Sequence, residues 1–357
     1  AEVLHEAGYA TASMGKWHLG KGDDTGPLGQ GFDVNIAGNR AGSPRSYFSP
    51  YQNADLPDGP EGEYLTDRLT GEAIGFIESH RDKPFFLYLP HYAVHTPIQA
   101  KKSVIEKYAQ KPAAGGHDNP RYAAMIESVD EGVGRILDKL DELALAQNTI
   151  VLLFSDNGGF AGATSNAPLR GFKGMLYEGG IRVPLIARWP GSIKPEQKCD
   201  VPVIGTDIFP TLLDVAGVPA PEGLALDGES LTPLLMNKGE FQHRSIFWHF
   251  PAYLESGRAV EGKWRTTPAG AVRAGPWKLI EFFEDGRVEL YNLDEDISET
   301  NNLAATMPEK VADLHGILRG WREAVNAPVP RERNPRYRPD EETSEEKSGE
   351  KKEEEPK

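Results

Sequence analysis

Apolar residues recur along this chain in two alternating rhythms. The runs Phe85–Leu89 (FFLYL) and Val151–Phe154 (VLLF) are unbroken, the pattern of strands covered on both faces. Turn formers stop each of them, Pro90 after the first and Asp156-Asn157-Gly158-Gly159 after the second. Tyr9–Met14 and Val183–Trp189 read as further strands. Helical stripes fall between: Val3, Leu4 and Ala7 before the stop at Gly8; Leu65, Leu69, Ala73, Ile74, Phe76 and Ile77 within 62–80; and a long stripe over Pro120–Ala146. In that last helix Met125, Ile126, Val129, Val133, Ile136, Leu137 and Leu140 form one apolar face, which reads as core. Helix followed by strand in this order predicts βαβ units and a parallel sheet. A short helix over 207–216 follows, and beyond about residue 240 the rhythm changes. Ser245–Phe250, 277–283 and 287–293 read as strands, the last two as an antiparallel hairpin around Glu284-Asp285-Gly286, and a closing helix covers 308–325.

The ends of these strands carry the chemistry. Ligands of open α/β sheets sit beyond the carboxyl ends of the strands. The first strand delivers Gly15-Lys16-Trp17-His18, the second His91 through His95, and the third Asp156-Asn157. Asp156 and Asn157 offer hard oxygen donors suited to Ca²⁺ or Mg²⁺, although Asp-Asn-Gly-Gly alone is equally a plain turn. Parallel neighbouring strands would bring the three sets to one edge. Between 157 and 183 lies a segment dense in glycine, including Gly171, Gly174, Gly179 and Gly180, that would let backbone approach a ligand closely. It carries Lys173, which is either a ligand-facing cation or a solvated surface lysine, and Arg182, read as an ion-pair partner.

Charge and composition narrow the classes. A net charge of −15 argues against nucleic acid as a partner, and no apolar run reaches the length of a membrane span. The single cysteine, Cys199, excludes an internal disulfide and reads as a packed, inert thiol. From Arg331 onward the chain has almost no core-forming residues and reads as a disordered charged tail. The division expected is 1–240 as a catalytic domain, 241–328 as a C-terminal subdomain and 329–357 as the tail. Because the chain opens inside a helix that feeds a motif-bearing strand, it reads as a fragment.

The strings GKWHLG, HTP, SDNGG, APLRGFKG and YEGGIRVP, in this order, resemble the formylglycine-dependent sulfatases of the alkaline phosphatase superfamily. The closing ELYNLDEDISETNNLA is similar to that family's C-terminal region. The resemblance implies an α/β fold, a mixed and mainly parallel sheet flanked by helices, with a smaller C-terminal α+β domain carrying a short antiparallel sheet. It implies Asp156 and Asn157 as metal ligands, for calcium ahead of magnesium, and Lys16 and Lys173 as the lysines that hold the sulfate group. His18 matches the histidine near the nucleophile, and His95 the one that assists the leaving group. An imidazole suits either task because its unperturbed pKa lies near neutrality. No role is assigned to His91. The implied partner is a sulfated small molecule or glycan, and the implied location is periplasmic or secreted.

The chain also departs from that pattern. The family's C/S-x-P-x-R string, the source of formylglycine, does not occur; Pro44-Arg45 stands with Gly42 where the nucleophile would be. The early acidic metal ligands have no counterpart before Lys16. Truncation accounts for both, and the chain as written is expected to be inactive. Two other classes remain: a phosphate or phosphonate ester hydrolase of the same superfamily, and a non-catalytic sulfate-binding homologue. The segments 35–58 and 252–270, with Arg258, Trp264 and Arg265, are the candidate specificity loops.

Overall fold

A computed structural model describes residues 1–20, 22–242, 244–255 and 264–337. It divides into two compact units. One comprises Ala1–Phe154 with Leu185–Phe241, and the other Ser155–Pro184 with Gln242–Lys357.

The first unit is built on three parallel strands, β1 (Ala10–Met14), β2 (Val34–Ile36) and β3 (Phe85–Tyr88), in the order β2-β1-β3. In register, Ala10 faces Phe85 and Ser13 faces Tyr88, so β1 and β3 end side by side. The helix Leu65–Ser79 lays Ala73 and Phe76 on Ala12 and Met14 of β1. A second helix, Pro120–Glu142, starts where Pro120 predicts and is capped by Asn119, whose side chain accepts from the amides of Arg121 and Tyr122. Its buried face is centred on Ala124, Met125, Ser128, Gly132 and Leu140, while Ile126 is exposed. The expected stripe is therefore offset. A Cβ on Gly132 would lie 2.5 Å from the Thr70 hydroxyl, so small residues let the two helices approach closely there, with Met125 and Leu140 buried on the same face.

The Val151–Phe154 strand, β4, corrects the expectation made of it. It pairs antiparallel with β5 (Leu185–Arg188), Val151 facing Arg188 and Phe154 facing Leu185. Val151 packs near Phe85 and Leu87, but Leu153, Phe154 and Ile186 are exposed. An unbroken apolar run tolerates pairing in either direction, and helix–strand alternation fixes only which elements are neighbours. The return from β4 to β5 runs through 155–184 rather than a helical crossover, so nothing forces the pair to be parallel. Cys199 also differs from expectation. It is exposed, because the apolar residues that follow it do not draw it into a core.

The second unit is built on a four-stranded antiparallel sheet in the order β11-β10-β9-β6, comprising β6 (Ser245–Phe250), β9 (Ala269–Ala274), β10 (Trp277–Phe282) and β11 (Val288–Asn292). The short pair β7 (Leu254–Glu255) and β8 (Trp264–Thr266) precedes β9. Side chains alternate across each strand, and both faces are covered. Val272, Leu279 and Leu290 meet Leu314 and Leu318 of the helix Pro308–Ala324, with Phe247 stacked on Trp321 at 4.7 Å. Ala269, Ala271, Ile280 and Phe282 on the other face meet Leu176 and Tyr177 of the 155–184 segment. Asn334 donates its amide to Glu284 and Tyr337 its hydroxyl to Asp285; 338–357, the rest of the charged tail, lie outside the described residues.

Candidate active site

In the first unit the ends of β1 and β3 are tied together. The Lys16 amide donates to the Pro90 carbonyl at 2.7 Å, and the Gly15 amide to Ile36 of β2 at 2.8 Å. Gly15 is left-handed at φ +132°, and a Cβ there would sit 2.1 Å from the Pro90 oxygen. Only glycine lets Lys16 leave the strand this close to β3. Trp17 is pinned by its indole N–H to Thr25 O at 2.8 Å and by edge-on packing with Phe32. His18 follows in a left-handed conformation, its amide bonded to Asn39 O and its exposed ring lying against Gly42, where a Cβ would come within 2.6 Å of the imidazole.

His95 stands in a loop held from beneath. The buried Tyr47 hydroxyl is shared between the carbonyls of Tyr92 (2.6 Å) and His95 (2.9 Å), and the His95 amide closes a turn onto Tyr92 O. His95 Nδ1 lies 3.1 Å from Thr96 O and 3.2 Å from the Thr96 hydroxyl. Burial pushes the Tyr47 phenol far above its ordinary value, and Tyr64 and Tyr92 beside it up to about 12, so all three remain neutral donors. The loop 35–58 is thus a packed element, with Tyr47, Tyr51 and Leu56 buried beneath it.

In the second unit the Asp156-Asn157 turn and the Lys173 segment are stitched backbone to backbone. The Lys173 amide donates to Gly159 O at 3.0 Å, Gly158 to Gly180 O at 3.0 Å, and Gly179 to Arg170 O at 2.7 Å. Asn166 bridges the layers, accepting from the Gly159 amide and donating to the carbonyls of Gly159 and Gly171. The glycines serve this approach of chain to chain. A Cβ on Gly158 would be 1.8 Å from Gly179 O, and one on Gly180 would be 2.1 Å from Met175 O. Asp156 is exposed, Asn157 and Lys173 half-buried. Asn157 donates a side-chain N–H to Gly158 O at 3.0 Å. Two hard oxygens fit calcium as part of a ligand set, since that ion takes about six to eight. Among the described residues no cluster of three or more His, Cys, Asp or Glu side chains is placed to hold a metal.

Arg265 of β8 packs its side chain 3.0 Å from where a Gly174 Cβ would be, and its guanidinium lies over Phe160 at 5.6 Å. Trp264 beside it packs at a tilt against Tyr253, ring centroids 4.5 Å apart. Arg258 lies outside the described residues. The sequence reading overlooked Glu178, Lys278 and Glu299. Lys278, fully buried, lies 2.9 Å from Glu178 and 2.8 Å from Glu299. Charged residues at alternating positions of adjacent strands were the available signal, and on an antiparallel sheet they read as a wet face.

Among the described residues no helix is long and apolar enough to cross a membrane. Residues 1–218 match the family model described as Sulfatase, and 172–321 the model described as N-sulphoglucosamine sulphohydrolase, C-terminal. A protein named Sulfatase from Formosa agariphila is 33% identical over 92% of this chain and 70% of its own length. Human N-acetylgalactosamine-6-sulfatase is 34% identical over 70% of the chain, which spans half of that protein's length. A crystal structure of Ps i-CgsB in complex with k-i-k-neocarrahexaose superimposes with a TM-score of 0.75 at 28% identity, over 90% of this chain and 73% of the other. With the three-stranded parallel sheet of one unit and the four-stranded antiparallel sheet of the other, these matches establish that the chain belongs to the sulfatase family of the alkaline-phosphatase-like superfamily, whose reaction is sulfate-ester hydrolysis.

Proposed function

We propose that this chain supplies the anion-holding and proton-handling residues of a sulfatase acting on a sulfated carbohydrate or an aryl sulfate. The observation that carries the reading is the direct tie between the Lys173 backbone and the Asp-Asn turn, 3.0 Å from Lys173 N to Gly159 O. It joins the backbone that carries a cation to the turn that carries two hard oxygen donors. Asp156 and Asn157 would hold calcium as part of its ligand set, and the ion would offset charge on the sulfate oxygens. Lys173 and Lys16 hold the sulfate group, each as a compact point charge on a dispersed anion. His95, its Nδ1 beside Thr96, serves the leaving-group oxygen. His18, exposed and backed by Gly42, takes up and returns a proton. Formylglycine, when present, supplies the acceptor for the sulfuryl group; the string that yields it does not occur in these 357 residues. The glycan-side reading draws on the relatives named above, one crystallised with a neocarrahexaose.

Equilibrium binding of a sulfated galactan hexasaccharide and its desulfated counterpart, with calcium present, tests this reading. The sulfated sugar should bind at least about tenfold more tightly, a preference of about 1.4 kcal/mol that Lys16→Ala and Lys173→Ala each reduce. Equal affinity for the two sugars would remove the assignment.

A further inference from the structure

The second unit contains a buried charge cluster that the reaction does not use. One face of the antiparallel sheet presents Arg273, Lys278, Glu289 and Tyr291 in neighbouring strands, and each meets the glycine-rich segment 170–182. Tyr291 accepts from Arg170 at 2.9 Å, Glu289 accepts from the Tyr177 hydroxyl at 2.9 Å, and Lys278 donates to Glu178. Arg170 also lies over the Tyr177 ring at 4.0 Å. Lys278 is the centre. Its ammonium is wholly buried between Glu178 and Glu299, and the far oxygen of Glu299 accepts the backbone amide of Glu178 at 2.6 Å. Arg182 at 2.5 Å and Arg273 at 4.0 Å complete the neutralisation of Glu178.

From Glu178 the connection runs through backbone alone. Gly179 bonds to Arg170, Gly180 receives Gly158, and Gly159 receives Lys173. We infer that the Glu178–Lys278–Glu299 cluster is a positioning device that fixes the 170–182 segment, and through it both Lys173 and the Asp156-Asn157 turn. The inference rests on the proposed role of Lys173. A buried ion pair is weak evidence of net stability, because desolvation offsets the attraction; its attested use is to specify one arrangement among several. Here that arrangement ties the segment carrying Lys173, and through its backbone hydrogen bonds the Asp156-Asn157 turn, to a sheet with its own core. Burial raises both carboxyls; Lys278 and Arg182 more than offset this at Glu178, which ends below its usual range, whereas Glu299 stays above it.

The test joins amide exchange with sulfate binding on the whole chain. In the wild type, the amides of 178–180 should exchange as slowly as those of the sheet strands 277–282; exchange at surface-loop rates would overturn the inference without any variant. Lys278→Met strands two carboxylates and risks misfolding, so the triple variant Glu178→Gln, Lys278→Met, Glu299→Gln is the decisive one. With sheet protection unchanged, exchange across 170–182 and 157–159 should rise at least tenfold. Affinity for inorganic sulfate in calcium should fall at least tenfold. Unchanged exchange and affinity in the triple variant, with Lys173→Ala still weakening sulfate, would refute the positioning role and leave Lys173 in place. Faster exchange in the triple variant, with Lys173→Ala leaving affinity untouched, would uphold the clamp and remove the reading of Lys173.

Discussion

His91 offers a prediction that depends on burial alone. It stands three residues beyond the end of β3, and its Nδ1 is buried without a hydrogen-bond partner among the described residues. Burial is the sole cause that lowers its pKa, from 6.5 to about 4. The folded protein therefore keeps the imidazole neutral at pH values where the unfolded chain binds a proton. Stability from this group is fully present above about 6.5 and is lost as pH falls toward 4. Between pH 7 and pH 5 the loss comes to about 2 kcal/mol, approaching about 3 kcal/mol once pH falls below the folded value. Glu299, raised by burial, contributes with the opposite sign, since it favours folding most when protonated. Asp33, Asp214 and Asp296, all lowered, act below the window. Subtracting the His91→Gln variant removes these shared terms. Urea midpoints at pH 7 and pH 5 should show the wild type losing about 2 kcal/mol more than His91→Gln over that interval. Equal losses in both proteins would mean that the ring is hydrated or partnered, and the burial argument would fail.

Two pairs of substitutions probe the scaffold beneath the site. Tyr47→Phe removes the hydroxyl shared by the Tyr92 and His95 carbonyls and should cost about 1–3 kcal/mol in thermal or urea unfolding. Tyr64→Phe, which loses one bond to Gln99 O, should cost less; the reverse order would contradict the assigned network. Gly158→Ala forces a Cβ against the Gly179 carbonyl and should destabilise by about 1–3 kcal/mol, measured by urea unfolding. Gly134→Ala, with nothing within 4 Å of the new Cβ, should stabilise the helix by up to about 1 kcal/mol. Similar effects at both glycines would show that the loop packing at Gly158 yields easily.

What could be read from the sequence was set by periodicity and by turn chemistry. The helix Pro120–Glu142 was legible because Asn119-Pro120 announces its start and its apolar spacing persists for six turns; its rotation was not, since Ala124, Ser128 and Gly132 carry the contact and contribute little hydrophobicity. The ends of β1 and β3 were correctly brought together, because parallel neighbours share a carboxyl edge. The partner of β4 was missed, since an apolar run says nothing about pairing direction. Short elements such as β2 and the helix Lys102–Ala109 leave too few turns for a period to emerge. Lys16, His18, His95, Asp156, Asn157 and Lys173 were picked out by motif, whereas Lys278 and Glu299 were not, because only the fold reveals that their strand face is covered.

In the proposed site Lys173 and the Asp156-Asn157 pair handle a sulfate group with the help of calcium. Calorimetric titration of the protein with inorganic sulfate, in calcium and then in chelator, tests it most directly. The account predicts binding that requires calcium, is lost in Asp156→Ala, and falls at least tenfold, about 1.4 kcal/mol, in Lys173→Ala. Sulfate binding of equal strength in calcium, in chelator and in Asp156→Ala would contradict it.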